Sequence, residues 1–182
     1  MRVLGVDPGT VVTGWGVIDA DGGIFRHIAS GTIRAGRGEV ASRLALIYTA
    51  LGEVMREHAP EILSLERNFL ARNVQSAFRL GEARGVAMAA AAARALAFSE
   101  YTPATIKKTV SGHGGADKEQ VQVAVLRLLG LTRRLATDEA DALAAAACHA
   151  LRAGFDARVG TAMSRRSRAV RPGTVIRARV LG

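Results

Sequence analysis

At 182 residues and 19.1 kDa the chain has the length of one domain, or of one domain with an appendage. Its 49% hydrophobic and 23% charged residues exclude disorder over most of that length, and its longest apolar run, the eight residues 86–93, is far short of the ~20 that a membrane helix needs. The single cysteine, Cys148, excludes an internal disulfide and a multi-cysteine zinc site, and the opening residues carry no secretory pattern, so a soluble cytoplasmic protein is expected.

In chain order, residues 2–6 are a short apolar run that ends at the turn Asp7-Pro8-Gly9-Thr10. Residues 13–19 alternate, Asp21-Gly22-Gly23 is a hairpin connection, and 24–33 continue as a third extended segment. The period then changes: Leu44, Ile47, Leu51, Val54 and Met55 predict a helix over 39–58, stopped by Pro60. Residues 61–65 form a buried strand leading into Glu66, 73–96 an Ala-rich helix, and 98–101 a fifth strand closed by Thr102-Pro103. Helices are expected at 104–110, 118–129 and 138–152, with the Gly-rich loop 111–115 between α-helical segments. Three meandering strands followed by strand–helix alternation predict an α/β fold, a mixed five-stranded sheet with helices packed on both faces.

The charge is uneven. Twenty-five basic against sixteen acidic residues give a net +9, yet residues 157–182 hold seven arginines and no acid, which leaves the first 156 residues at only +2. The expected organisation is a folded domain over 1–156 and a basic tail over 157–182, in which 174–180 alternate as an edge strand would. A basic tail on a near-neutral domain fits either a polyanion partner or a solvated extension.

Four acids fall where structural acids are unusual. Asp7 ends the first strand and Glu66 the fourth, while Asp138 and Asp141 stand three apart at the start of the last long helix, on one face of it. If the first and fourth strands are parallel neighbours, Asp7 and Glu66 converge and the helix brings the other two over the same spot. Taken singly, each acid could serve a turn, a strand end or a helix cap. Together, four carboxylates in one cleft repel one another unless cations neutralise them, and hard oxygen ligands suit Mg²⁺ or Mn²⁺. Two such ions ~3.5–4 Å apart can activate a water and stabilise the leaving oxygen of a phosphodiester.

The segments Leu4-Gly5-Val6-Asp7-Pro8-Gly9-Thr10, Val12-Thr13-Gly14-Trp15-Gly16-Val17, Leu65-Glu66-Arg67-Asn68-Phe69, Leu80-Gly81-Glu82-Ala83-Arg84-Gly85-Val86 and Asp138-Glu139-Ala140-Asp141-Ala142-Leu143-Ala144 resemble the RuvC Holliday junction resolvase family in order and spacing, across roughly residues 2–152. The resemblance implies a ribonuclease H-like fold and a homodimeric endonuclease that makes symmetrical nicks in four-way DNA junctions during recombination and repair. It implies that Asp7, Glu66, Asp138 and Asp141 hold two Mg²⁺ ions per subunit, with Mn²⁺ an alternative, and that RuvA and RuvB are partners. The basic tail matches no motif of the family.

Lysine is scarce, three of the 25 basic residues, and Lys107, Lys108 and Lys118 flank the Gly-rich loop. A compact ammonium suits a phosphate, and Lys107 and Lys118 match basic positions that the resemblance links to catalysis and DNA contact, while Lys108 beside them is expected among the DNA contacts. Phe69, among Arg67, Arg72 and Asn73 just past a strand end, could stack on an unpaired base or tuck into the core. His113 reads as an exposed loop residue, Cys148 as core and Trp15 as packing. An actin-like kinase would need two domains and is excluded by length. An RNA-processing nuclease of the same fold and a non-catalytic junction binder are the competing readings, and the four intact acids weigh against the second.

Overall fold

A computed structural model of the chain describes residues 1–67 and 74–169. Phe69, Arg72, Asn73 and the alternating segment 174–180 lie outside the described residues.

Five strands, β1 (Arg2–Asp7), β2 (Val12–Asp21), β3 (Ile24–Arg34), β4 (Ile62–Glu66) and β5 (Ala97–Tyr101), form one sheet in the order β3-β2-β1-β4-β5. β2 pairs antiparallel with β1 and β3, and β4 pairs parallel with β1 and β5. The meander closes at Gly22 and Gly23, whose φ values of 56° and 94° lie where glycine is free to go and where a two-residue hairpin turn needs it. The parallel half requires crossovers, and helices supply them.

The helices among the described residues are α1 (Val40–His58), α2 (Val74–Ala92), α3 (Pro103–Ser111), α4 (Lys118–Leu129) and α5 (Thr137–Ala169). Glu39 caps α1, accepting from the amides of Ala41 and Ser42 at 3.0 and 2.7 Å, so the residue expected to open the helix is its cap. Thr102 caps α3 with Pro103 as its first residue, and Asp117 with Gln120 makes a reciprocal capping box on α4.

Alternation divides the sheet into two faces. Leu4, Val6, Val17, Leu63 and Leu65 pack against Ile47, Leu51, Ala87, Ala90 and Ala91 of α1 and α2. Val3 and Ile18 pack on the other side with Ile106, Val125, Leu143, Ala144 and Ala147 of α3, α4 and α5. Residues 142–148 of α5 are buried all round, because the helix lies between the sheet and two other helices; only small side chains suit such a position, which accounts for the alanine run. α5 continues to Ala169, seventeen residues beyond the expected end at Arg152, so the first half of the basic segment prolongs this helix. No helix among the described residues is long and apolar enough to cross a membrane.

Candidate active site

The acids are placed by strand register and by a helix that lies unusually close to the sheet. In the β1–β4 ladder Gly5 pairs with Ser64 and Val6 with Leu65, so the next step sets Asp7 beside Glu66. Successive side chains alternate in direction, and Asp7 shares the α5 side with Gly5, just as Glu66 shares it with Ser64. Three glycines let α5 approach. A Cβ on Gly5 would strike the Ala142 carbonyl, one on Gly14 the Asp138 carbonyl, and one on Gly16 would stand 2.5 Å from the Leu143 side chain. Ser64 fastens the same helix, its buried hydroxyl donating to the Ala145 carbonyl at 2.7 Å. With its first turn resting on Gly14, α5 carries Asp138 and Asp141 over the C-terminal ends of β1 and β4.

The electrostatics show the convergence. Asp7 is pushed up from 3.8 to about 7, first by burial and then by the charges of Glu66, Asp141 and Asp138, with Lys118 acting in the opposite sense. Lys118, at the start of α4, places its Nζ 3.2 Å from Oδ2 of Asp141; that carboxylate is the main reason its own pKa is raised. A cleft of about 250 Å³ beside the acids is lined by Glu66, Asp141, Lys107 and Lys118, with Pro103, Ile106, Val121 and Ala144 as its apolar wall. A larger cavity of about 570 Å³ opens at the other end of the sheet around Met1, Phe25, Leu151 and Phe155, where no charged side chains converge except near Asp21. The cleft beside the converging acids is the candidate site for chemistry.

All four predicted acids thus gather at one place, with Lys107 and Lys118 at its rim. Lys108 is exposed on α3 and does not line the cleft. Arg67 follows β4 directly, and its amide donates to the Tyr101 carbonyl at 2.8 Å, beside the site. His113 is an exposed loop residue accepting from the Gly115 amide at 3.2 Å, Cys148 is fully buried, and Trp15 stacks on His58 with ring centroids 5.9 Å apart. The sequence reading missed Ser64 and the function of the glycines. Glycine on both sides of Trp15 was the available signal: small residues at alternate strand positions mark a face where another backbone comes close.

As the side chains stand, no three acidic, histidine or cysteine groups among the described residues are near enough to share one ion. The donor set nonetheless fits a hard divalent cation: four carboxylates converge, and burial together with the charges of the other three pushes Asp7 towards neutrality. In this arrangement the Lys118 ammonium supplies the positive charge at Asp141.

The chain matches the family model described as "Crossover junction endodeoxyribonuclease RuvC" over residues 3–149. It is 47% identical over 148 residues to the RuvC of Pseudomonas paraeruginosa, covering 81% of this chain and 85% of that protein. The RuvC of Stutzerimonas stutzeri is 45% identical over the same shares. Among solved structures, T. thermophilus RuvC in complex with Holliday junction substrate superposes with a TM-score of 0.81 at 31% identity, covering 86% of this chain and 96% of that one.

Proposed function

The chain belongs to the RuvC family of crossover junction endodeoxyribonucleases, with the ribonuclease H-like fold of that family, and on that premise we propose that Asp7, Glu66, Asp138 and Asp141 bind divalent cations and cut four-way DNA junctions. The observation that carries the reading is Asp7 at the end of β1, pushed towards neutrality first by burial and then by the charges of Glu66, Asp141 and Asp138 gathered around it. A fold does not gather four like charges at the mouth of a cleft for stability, because the repulsion opposes folding.

Cations held there, Mg²⁺ by preference and two per subunit, would lower the pKa of an attacking water and stabilise the leaving oxygen of the phosphodiester. The side chains supply the rest. Lys118 neutralises the acid cluster and, once freed from Asp141, is within reach of a scissile phosphate at the cleft. Lys107, on α3 across the same cleft, presents a second ammonium to the phosphate backbone. Pro103, Ile106 and Val121 form a dry wall that strengthens these interactions. Arg67 and Lys108, together with Phe69, Arg72 and Asn73 from the segment after β4, are assigned to DNA contact, Phe69 by stacking on an unpaired base. The basic segment beyond residue 156 adds sequence-independent attraction to DNA.

A junction is close to two-fold symmetric and must be cut on two opposed strands, whereas one chain has one acid cluster. A two-fold homodimer meets that need. α2 offers the surface: Val74, Phe78, Gly81, Gly85, Ala89 and Ala92 form one exposed stripe at helical spacing, with Val74 73% and Phe78 69% exposed. RuvA and RuvB are the proposed partners in branch migration, and the cytoplasm the proposed compartment.

Replacing each acid in turn by its amide tests the assignment. Cleavage of a synthetic four-way junction should disappear in all four variants, while junction binding in the absence of cleavage persists. A variant that keeps wild-type cleavage removes its residue from the site.

A further inference from the structure

Between Asp138 and Asp141 stands a fifth acid that faces away from the other four. Glu139 is buried, 5% exposed, and its carboxylate is engaged on every side. Oε1 accepts from the Ser30 hydroxyl at 2.7 Å and from Nη2 of Arg133, and Oε2 from Nη1 of Arg133 at 3.3 Å and from the Ala136 amide at 3.2 Å. These four bonds use the acceptor capacity of a carboxylate, so Glu139 has no oxygen left for a cation. The Ser30 hydroxyl is equally committed: it donates to Glu139, receives Nη2 of Arg133 at 2.9 Å, and lies 2.6 Å from Nε2 of His27. Burial works to raise the carboxyl of Glu139, but the bonds from Arg133, Ser30 and Ala136 outweigh it and hold the group below its ordinary value.

The knot joins three parts of the chain that are far apart in sequence or belong to different elements. Ser30 and His27 belong to the edge strand β3, Arg133 to the loop between α4 and α5, and Glu139 to the first turn of α5. Gly14 fixes how near that turn comes to the sheet, and Ser64 holds the helix further along at Ala145, but neither contact bonds the first turn to its neighbours. A bidentate Arg–carboxylate pair with a serine across the strand gap does. We propose that Glu139 is a positioning residue of the nuclease site: clamped by Arg133 and Ser30, it sets the rotation and height of the first turn of α5 and so the placement of Asp138 and Asp141. This rests on the reading that those two acids bind a cation. Its action is the outer support that ligands need to hold their geometry.

The experiment uses the full chain, with Glu139→Gln and Arg133→Ala as variants. Arg133 is 47% exposed, so its loss should leave the fold intact even if the Glu139 variant unfolds. Two readings are taken: Mn²⁺ binding followed by the paramagnetic signal of the free ion, and backbone hydrogen exchange at residues 140–143 without metal. Both variants should bind Mn²⁺ about tenfold or more weakly, the usual cost of removing such a support, and exchange faster at those amides. Asp7→Asn should lose Mn²⁺ with exchange in α5 no faster than in the wild type. Variants that bind Mn²⁺ as tightly as the wild type overturn the proposal. If the wild type itself binds none, the metal reading fails instead, and exchange decides alone: faster in both variants upholds the clamp, unchanged overturns it.

Discussion

Replacing Asp7 by asparagine should destroy activity and stabilise the metal-free protein, and the size of the second effect follows from the site. The folded chain holds Asp7 at about 7 against 3.8 for a free carboxyl, a difference of roughly 3 units or, at ~1.36 kcal/mol per unit, about 4 kcal/mol against the ionised folded state. Asp7 is partly open to solvent, so screening leaves about half of this, ~2 kcal/mol. The sign is that of an acid whose pKa is raised by folding. The native chain keeps a proton that the unfolded chain has released, so stability falls as pH rises from about 4 through about 7 and is level above that. Asparagine carries no such dependence. For a chain of this size, ~2 kcal/mol corresponds to a gain of about 4–8 °C in Tm near pH 8, shrinking towards zero near pH 4. Thermal unfolding in the presence of a chelator, at both pH values, measures it, and adding Mg²⁺ at pH 8 should raise the wild type more than the variant. An Asp7→Asn protein no more stable than wild type near pH 8 would refute the electrostatic account of the cluster.

Further outcomes follow from the packing. Gly14→Ala places a methyl group against the Asp138 carbonyl, so it should cost at least the ~1–3 kcal/mol of an overpacked contact and depress cleavage by displacing the first turn of α5; denaturant unfolding with a parallel cleavage assay tests both, and wild-type values in both would show that α5 does not rest on this glycine. Phe78→Glu puts a charge in the exposed stripe of α2, and sedimentation should then give a species near 19.1 kDa instead of twice that mass; an unchanged dimer would move the interface elsewhere.

Most of the fold was legible because its patterns are local. The period change at residue 39, the Asp21-Gly22-Gly23 connection and the capping residues Thr102 and Asp117 each mark an element boundary through nearest-neighbour chemistry. The four acids were legible because each sits at an element end, where a side chain is exposed to a shared edge. What could not be read depends on the third dimension. That Gly5, Gly14 and Gly16 form a bed for one helix requires knowing that β1 and β2 are adjacent beneath α5. Nothing around Ser64 in the sequence points to its partner, the Ala145 carbonyl 81 residues on. Glu139 was hidden by its neighbours, since an acid flanked by acids at a helix start reads as a favourable dipole charge, and its partner Ser30 lies 109 residues away. The extent of α5 was missed because the pattern of a buried alanine helix gives way beyond Arg152 to an Arg-rich sequence with no apolar period to follow.

The most direct measurement compares cleavage of a synthetic immobile four-way junction, a linear duplex of the same sequence and an RNA–DNA hybrid, each with Mg²⁺ and with chelator. Cleavage confined to the junction, dependent on Mg²⁺ and appearing as paired nicks on two opposed strands, is the result that the acid cluster and the two-fold dimer predict. Equal cutting of the duplex or the hybrid, or undiminished cutting in the chelator, would contradict the account.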